Sequence, residues 1–166
     1  MNTTVPSLDE LYREVILDHY RNPCGSESIE DPTVEVEGFN PLCGDELLMQ
    51  LQIENGSIRK MHIDPRGCSI SVASASMLAQ QLEGASLQEA LKLKVVFQRV
   101  LQGGDWPEGM DCGDLEALEG VKKFPVRIKC ALLAWMTLEQ ALAEYNPDAV
   151  GSVEADEDIE IRTHKT

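Results

Sequence analysis

The chain has 166 residues, the size of one domain, and a chain of that length buries about 70% of its unfolded surface without needing a staple. Its 14 basic and 29 acidic residues give a net charge of -15, which repels phosphate backbones and anionic lipid, so neither nucleic acid nor a membrane surface is an expected partner; solubility or a basic protein partner fits the balance better. Five cysteines at irregular spacing, with no charged start and apolar run ahead of Leu8, imply a reducing cytoplasm and not a disulfide framework, and the longest apolar run, Ala131 to Met136, falls far short of the ~20 residues of a membrane-spanning helix.

Ser7-Leu-Asp-Glu10 is a capping box, and Leu8, Leu11, Tyr12, Val15 and His19 recur at helical spacing, which predicts a first helix to about Tyr20. Pro23 and Gly25 end it, and Cys24 in that turn reads as a passive thiol. His19 on the apolar stripe is either a ligand or partner contact, or a packed histidine bonded to backbone; the second reading is preferred. Thr33 to Glu37 alternates with period two and predicts a half-buried strand. Leu47 to Glu54 sets Leu47, Met49, Leu51 and Ile53 on one face, Asn55-Gly56 marks a hairpin, and Ser57 to Asp64 returns with Met61 and Ile63 inward and His62 turned to solvent.

A two-residue turn at Asn55-Gly56 pairs residues whose numbers sum to 111, which places Cys43 opposite Cys68. If the pairing holds that far, the two Cβ atoms lie about 4.5–5.5 Å apart, within reach of a shared metal.

Gly67-Cys68-Ser69 opens the next helix, whose early residues Ser69, Ser71, Ala73, Ser74, Ala75 and Ser76 are small enough to let another element pack closely. Cys68 then sits where helical N–H groups favour a thiolate. Ser86-Leu-Gln-Glu89 starts a helix to about Leu101, with Leu87, Ala90, Leu91, Lys94 and Val95 along one face. After a Gly-rich loop, Cys112-Gly-Asp114 repeats the tripeptide Cys43-Gly-Asp45; a second ligand pair is conceivable, chance the better reading. Phe124-Pro125 begins the last long helix, with Val126, Cys130, Leu133, Ala134, Thr137 and Ala141 on one stripe and Arg127 and Lys129 on other faces. Residues 1–145 therefore form the expected domain, and 146–166, acidic and poorly hydrophobic, a disordered tail.

Cys43, Asp45, Cys68 and Cys130 make a four-ligand set of three thiols and one carboxylate, suited to tetrahedral zinc or to an iron-sulfur cluster. Asp45 is the hard and most exchangeable member of a soft set, so such a site can open.

Four stretches, Val15 to Pro23, Asn40-Pro-Leu-Cys-Gly-Asp45, Gly67-Cys-Ser-Ile-Ser-Val-Ala-Ser-Ala-Ser-Met77 and Phe124-Pro-Val-Arg-Ile-Lys-Cys-Ala131, together resemble the IscU/NifU-like family in its SufU branch. Lys129 stands where IscU scaffolds carry a histidine, and Gln102 to Lys123 is similar to the SufU insertion. The resemblance implies an α+β fold, a three-stranded antiparallel sheet packed against several helices, and a role in iron-sulfur cluster assembly. It implies zinc held by Cys43, Asp45, Cys68 and Cys130, with Cys43 accepting persulfide sulfur from the cysteine desulfurase SufS and Arg127 in a supporting or partner-contact role. The alternatives it leaves are a scaffold that assembles an iron-sulfur cluster on Cys43, Cys68 and Cys130, and a zinc-stabilised adaptor without chemistry. Cluster scaffolds or apo-protein acceptors are the implied downstream partners, and a chaperone is not implied, since Phe124-Pro-Val-Arg replaces the proline-rich chaperone motif.

Overall fold

A computed structural model describes residues 7–150 and 160–164. Helix α1 spans Leu8–Arg21, strands β1, β2 and β3 span Val34–Asn40, Asp45–Glu54 and Ser57–Arg66, and helices α2 and α3 span Ser69–Leu82 and Leu87–Leu101. A 3-10 helix, Gly113–Lys123, leads into α4, Pro125–Tyr145, followed by a helical turn at Pro147–Val150 and strand β4, Glu160–His164. All strand pairs are antiparallel, in the order β3-β2-β1-β4. Helices α4 and α2 cover one face of the sheet, α1 packs on α2, and α3 on α4.

The helix starts follow local chemistry. Ser7 and Ser86 accept the backbone N–H groups of Glu10 and Glu89 at 3.2 and 3.1 Å, and Pro125 occupies the first turn of α4. Asn55 and Gly56 both take positive φ, 51° and 74°, the geometry of the tight hairpin between β2 and β3. The small residues of α2 let α4 approach closely. Ser74 donates to the Ala131 carbonyl at 2.6 Å and accepts from Trp135 Nε1 at 3.1 Å, so one hydroxyl fixes the second turn of α4 against α2. Gly38 of β1 serves the same end, because a Cβ there would meet the Thr137 side chain.

Several expectations need correction. The sheet has four strands and not three: β4 comes from the tail read as disordered, and Ile161, opposite Gly38, packs against the core. Residues 151–159 of that tail lie outside the described residues. The hairpin keeps the sum of 111 only at Glu54↔Ser57 and Ile53↔Ile58; a bulge between Gln52 and Ile53 shifts every later pair by one, through Glu46↔Arg66. Cys43 and Cys68 are therefore not cross-strand partners. His62 is buried, because the link between α1 and β1 crosses the outer face and its Gly25 carbonyl accepts from His62 Nδ1 at 2.8 Å. On α3 the buried face runs through Leu93, Val96 and Phe97, leaving Val95 exposed, and Val126 at the start of α4 is likewise exposed. Among the described residues, no helix is long and apolar enough to cross a membrane.

Candidate metal centre

The site forms where β1 hands over to β2. Asn40, almost wholly buried, accepts the Leu42 N–H on Oδ1 at 3.2 Å and the Gly44 N–H on its carbonyl at 2.8 Å. With Gly44 at φ 73°, this tight connection lifts Cys43 to an exposed apex and returns the chain so that Asp45 pairs with Asn40. Alternation along β2 then turns the Asp45 carboxylate inward, where it is 2% exposed.

Asp45 is the hub. Its Oδ1 accepts the Cys68 backbone N–H at 2.9 Å, and its Oδ2 lies 3.1 Å from Cys43 Sγ and 3.5 Å from Cys68 Sγ. Cys68 is the N-cap of α2, its sulfur accepting the Ser71 N–H at 3.4 Å. Cys130, on the second turn of α4, is buried with its sulfur 3.4 Å from that of Cys43. Ligand atoms of Cys43, Asp45 and Cys130 all lie within 4.8 Å of one another, and Cys68 stands beside that trio through Asp45. The structure thus brings all four sequence candidates to one mouth, with Asp45 and not strand register as the connection between Cys43 and Cys68.

The electrostatics show what this donor set lacks. Burial, then the hydrogen bond to Asp45, pushes the Cys43 thiol above its ordinary range. Burial pushes Cys130 up further, reinforced by its hydrogen bond with Cys43 and the charge of Cys68. Three thiols and a carboxylate cannot all carry negative charge at this spacing without a cation among them. Zinc bound by thiolates at about 2.3 Å keeps neighbouring sulfurs about 3.8 Å apart in a tetrahedron, close to the 3.4 Å between Cys43 and Cys130. The residues fit that metal in both charge and donor type.

The remaining candidates fall elsewhere. Arg127 is exposed on the first turn of α4; its backbone N–H donates to the Phe124 carbonyl at 2.8 Å, and its side chain makes no ion pair or hydrogen bond among the described residues. Cys24 and Cys112 are half-buried against the core, away from the thiol mouth. Asp114 does not form a second ligand pair with Cys112: its Oδ2 accepts from His19 Nε2 at 2.8 Å, while His19 Nδ1 meets the Ser76 hydroxyl at 2.6 Å. His19 is thus packed, as expected, but bonded to side chains and not to backbone. One residue escapes a search for ligands altogether. Gly67 has φ 153°, and a Cβ there would strike the Asp45 carboxylate; its place beside Cys68 is the only hint in the sequence.

A loop thiol, a helix-capping thiol and a thiol on a second helix gather around one buried aspartate at a sheet end, a thiolate–carboxylate donor set that could hold a metal ion. The match of residues 11–151 to the NifU-like N-terminal domain model places the chain in that family. It is 42% identical to the zinc-dependent sulfurtransferase SufU of Bacillus subtilis over 83% of this chain and 93% of that one. It is 37% identical to the iron-sulfur cluster assembly scaffold protein IscU of Streptococcus pyogenes serotype M1, over 81% of this chain and 84% of that one. Among solved structures it is similar to an iron-sulfur cluster assembly scaffold protein for the SUF system from Fervidobacterium islandicum AW-1, with a TM-score of 0.74 and 31% identity over 82% of this chain and 99% of that one.

Proposed function

We propose that the chain is a zinc-dependent sulfurtransferase of iron-sulfur cluster assembly, with Cys43 as the acceptor of persulfide sulfur from a SufS-type cysteine desulfurase. The observation that carries this reading is the asymmetry of the thiols: Cys43 is exposed on a turn, whereas Cys68 caps a helix and Cys130 is buried on another. A turn can swing its thiol out to a second protein; a thiol fixed at a helix cap or buried on a helix cannot. Zinc, when held by Cys43, Asp45, Cys68 and Cys130, supplies the positive charge that keeps these thiols ionised at neutral pH.

The transfer asks little else of the chain. The Cys43 thiolate attacks the outer sulfur of the donor's cysteine persulfide. A sulfur–sulfur bond forms at Cys43, the donor's sulfur–sulfur bond breaks, and the donor cysteine leaves as a thiolate, with no net oxidation. Asp45, held by the Cys68 N–H, steadies the donor set while Cys43 is engaged, and Arg127 at the exposed start of α4 is placed to meet the partner. A cytoplasmic location fits a chemistry that needs free thiols.

A second reading, a scaffold for a nascent cluster, is favoured by the three-thiol composition and by the likeness to IscU proteins. Lys129 in place of the scaffold histidine weighs against it. Persulfide mapping by mass spectrometry, after incubation with desulfurase and cysteine, separates the readings. Sulfur on Cys43, abolished in Cys43→Ser and unaffected in Cys24→Ser and Cys112→Ser, is the expected result. Label on Cys130 with none on Cys43 overturns the acceptor assignment, and no persulfide on any cysteine with full desulfurase binding leaves the adaptor.

A further inference from the structure

Two of the thiols touch. Cys43 Sγ and Cys130 Sγ lie 3.4 Å apart, within the ~3–3.5 Å at which a nucleophile stands ready to attack. Cys68 is held away from that pair: its sulfur accepts the Ser71 N–H, its backbone N–H is tied to Asp45, and it stands outside the trio of Cys43, Asp45 and Cys130 whose ligand atoms all lie within 4.8 Å of one another. Each of the touching thiols has an acceptor for its proton besides the other sulfur, Asp45 Oδ2 at 3.1 Å for Cys43 and the Val126 carbonyl at 3.7 Å for Cys130. The two sulfurs can therefore close on each other without trapping a proton between them.

The surroundings of the Cys43 sulfur are unequal. Its open side is a shallow cavity of about 200 Å³ lined by Asn40, Leu42, Cys43, Pro125, Val126 and Lys129. Cys130, 1% exposed and absent from that lining, meets the sulfur from the buried side. A second sulfur carried by Cys43 has room in the cavity. Displacement at such a sulfur runs in line, with the attacking and departing atoms on opposite sides, and this arrangement provides it: Cys130 behind, the outer sulfur in front.

We propose that Cys130 is a resolving thiol, which attacks the inner sulfur of the Cys43 persulfide so that the outer sulfur leaves as sulfide; this rests on the acceptor reading of Cys43 above. The bond formed is Cys43 Sγ to Cys130 Sγ, and the bond broken is the sulfur–sulfur bond of the persulfide. The sulfane sulfur is reduced by two electrons to hydrosulfide, the two cysteine sulfurs are oxidised together to one disulfide, and the Cys130 proton departs on the hydrosulfide. No outside reductant enters the step. Going from 3.4 Å to the ~2.05 Å of a disulfide asks for about 1.4 Å. The exposed Cys43 turn has the room, since even a Cβ on the adjacent Gly44 would meet nothing within 4 Å. Cys130 can act in this way only while it is not a ligand. Its sulfur is engaged when zinc is held, and a Cys43–Cys130 disulfide would remove two of the four ligands, so metal binding and resolution exclude each other. A zinc-loaded chain keeps its sulfur for hand-over to another thiol; a chain stripped of zinc discharges it as sulfide and remains oxidised until a dithiol reductant reopens the bridge.

The test charges the full-length, zinc-loaded protein with inorganic polysulfide, desalts it, and adds a zinc chelator with no reductant present. Sulfide is measured colorimetrically, and cysteine linkages are mapped by mass spectrometry after alkylation. Expected for wild type is stable persulfide before chelation and, after it, sulfide equal to the persulfide lost, a Cys43–Cys130 disulfide, and a rate independent of protein concentration. Cys130→Ser should keep the Cys43 persulfide and release sulfide at least about ten-fold more slowly, and Cys112→Ser should match wild type. Because Cys130 is buried, the linkage map of wild type decides the matter even if Cys130→Ser folds poorly.

Cys43 persulfide that outlasts chelation, a disulfide to Cys68 in place of Cys130, or sulfide release that quickens with protein concentration would overturn the resolving role while leaving the sulfurtransferase reading intact. Failure of that underlying reading has a separate signature: no persulfide on zinc-loaded wild-type Cys43 at saturating desulfurase, with polysulfide-charged protein still reporting on Cys130.

Discussion

Asp45 and Cys68, 23 residues apart in the chain, are joined by a hydrogen bond from the Cys68 backbone N–H to Asp45 Oδ1 at 2.9 Å, which leaves Oδ2 free to face the thiols. The carboxylate is thus oriented before any metal arrives. Asp45→Asn keeps an oxygen for the Cys68 N–H but removes the charge. It should retain the far-ultraviolet circular dichroism of wild type while weakening zinc binding by about ten-fold or more in competition with a chromophoric chelator. Unchanged zinc affinity would remove Asp45 from the ligand set.

Gly67 protects that orientation. Its φ of 153° suits glycine, and a Cβ would displace the Asp45 carboxylate. Gly67→Ala should cost about 1–3 kcal/mol in urea unfolding and weaken zinc binding as well. The same substitution at Gly44, where a Cβ meets nothing within 4 Å, carries the backbone strain alone and should leave the Asp45–Cys68 hydrogen bond in place. A zinc affinity lowered equally by both substitutions would contradict the contact argument.

The thiols give opposite pH trends with and without metal. In the metal-free protein the Cys43 and Cys130 thiols are raised by burial and by their acidic neighbours. A raised thiol contributes stability that is complete below its unfolded value, about 8.5, and is lost as pH rises beyond it. The Tm of metal-free wild type should therefore fall relative to Cys130→Ala from about pH 8.5 upward. Zinc binding must expel the same protons, so the Tm gained on adding zinc should shrink as pH falls from about 8 to 6. A metal-free wild-type Tm that rises or stays level relative to Cys130→Ala above about pH 8.5 would refute the assignment.

Lys94 and Glu139 form a buried ion pair between α3 and α4, Nζ to Oε2 at 2.8 Å, with side chains 2% and 9% exposed. Glu139→Leu alone strands the lysine charge and should cost about 3–5 kcal/mol, whereas Lys94→Met with Glu139→Leu should recover most of that loss. Urea unfolding of the two singles and the double checks this. Additive losses would show that the charges do not depend on each other.

What could be read from the chain was local chemistry: the serine caps at Ser7 and Ser86, the Asn55-Gly56 turn, the proline start of α4, and a set of thiols whose types alone imply a soft metal. What could not be read was set by distant neighbours. The bulge at Gln52/Ile53 moves the hairpin register by one, yet no turn or breaker residue marks it. His62 obeys strand alternation, but the outward face is covered there by the Gly25 turn, whose carbonyl also accepts the Ile63 N–H at 2.9 Å. Residues Glu160–His164 are too polar to suggest a strand alone; Ile161 opposite Gly38 and Arg162 stacked 4.9 Å over Phe39 supply the reason. Lys129 was visible as a letter, but its place at the cavity it shares with Leu42, Cys43 and Val126 is a property of the fold.

The fourth strand has a consequence for how the protein meets others. By pairing along Glu35 to Phe39, β4 occupies the flank on which β1 would otherwise offer bare amides and carbonyls. On the far flank, Ile58 and Ile63 of β3 give their N–H groups to the carbonyls of Ala85 and Gly25 at 2.8 and 2.9 Å. Both margins of the sheet are blunted, so a foreign strand finds little backbone to zip onto and stacking of copies through the sheet is discouraged. Recognition is left to side chains, and exposed Leu42 and Val126 share one cavity with Cys43.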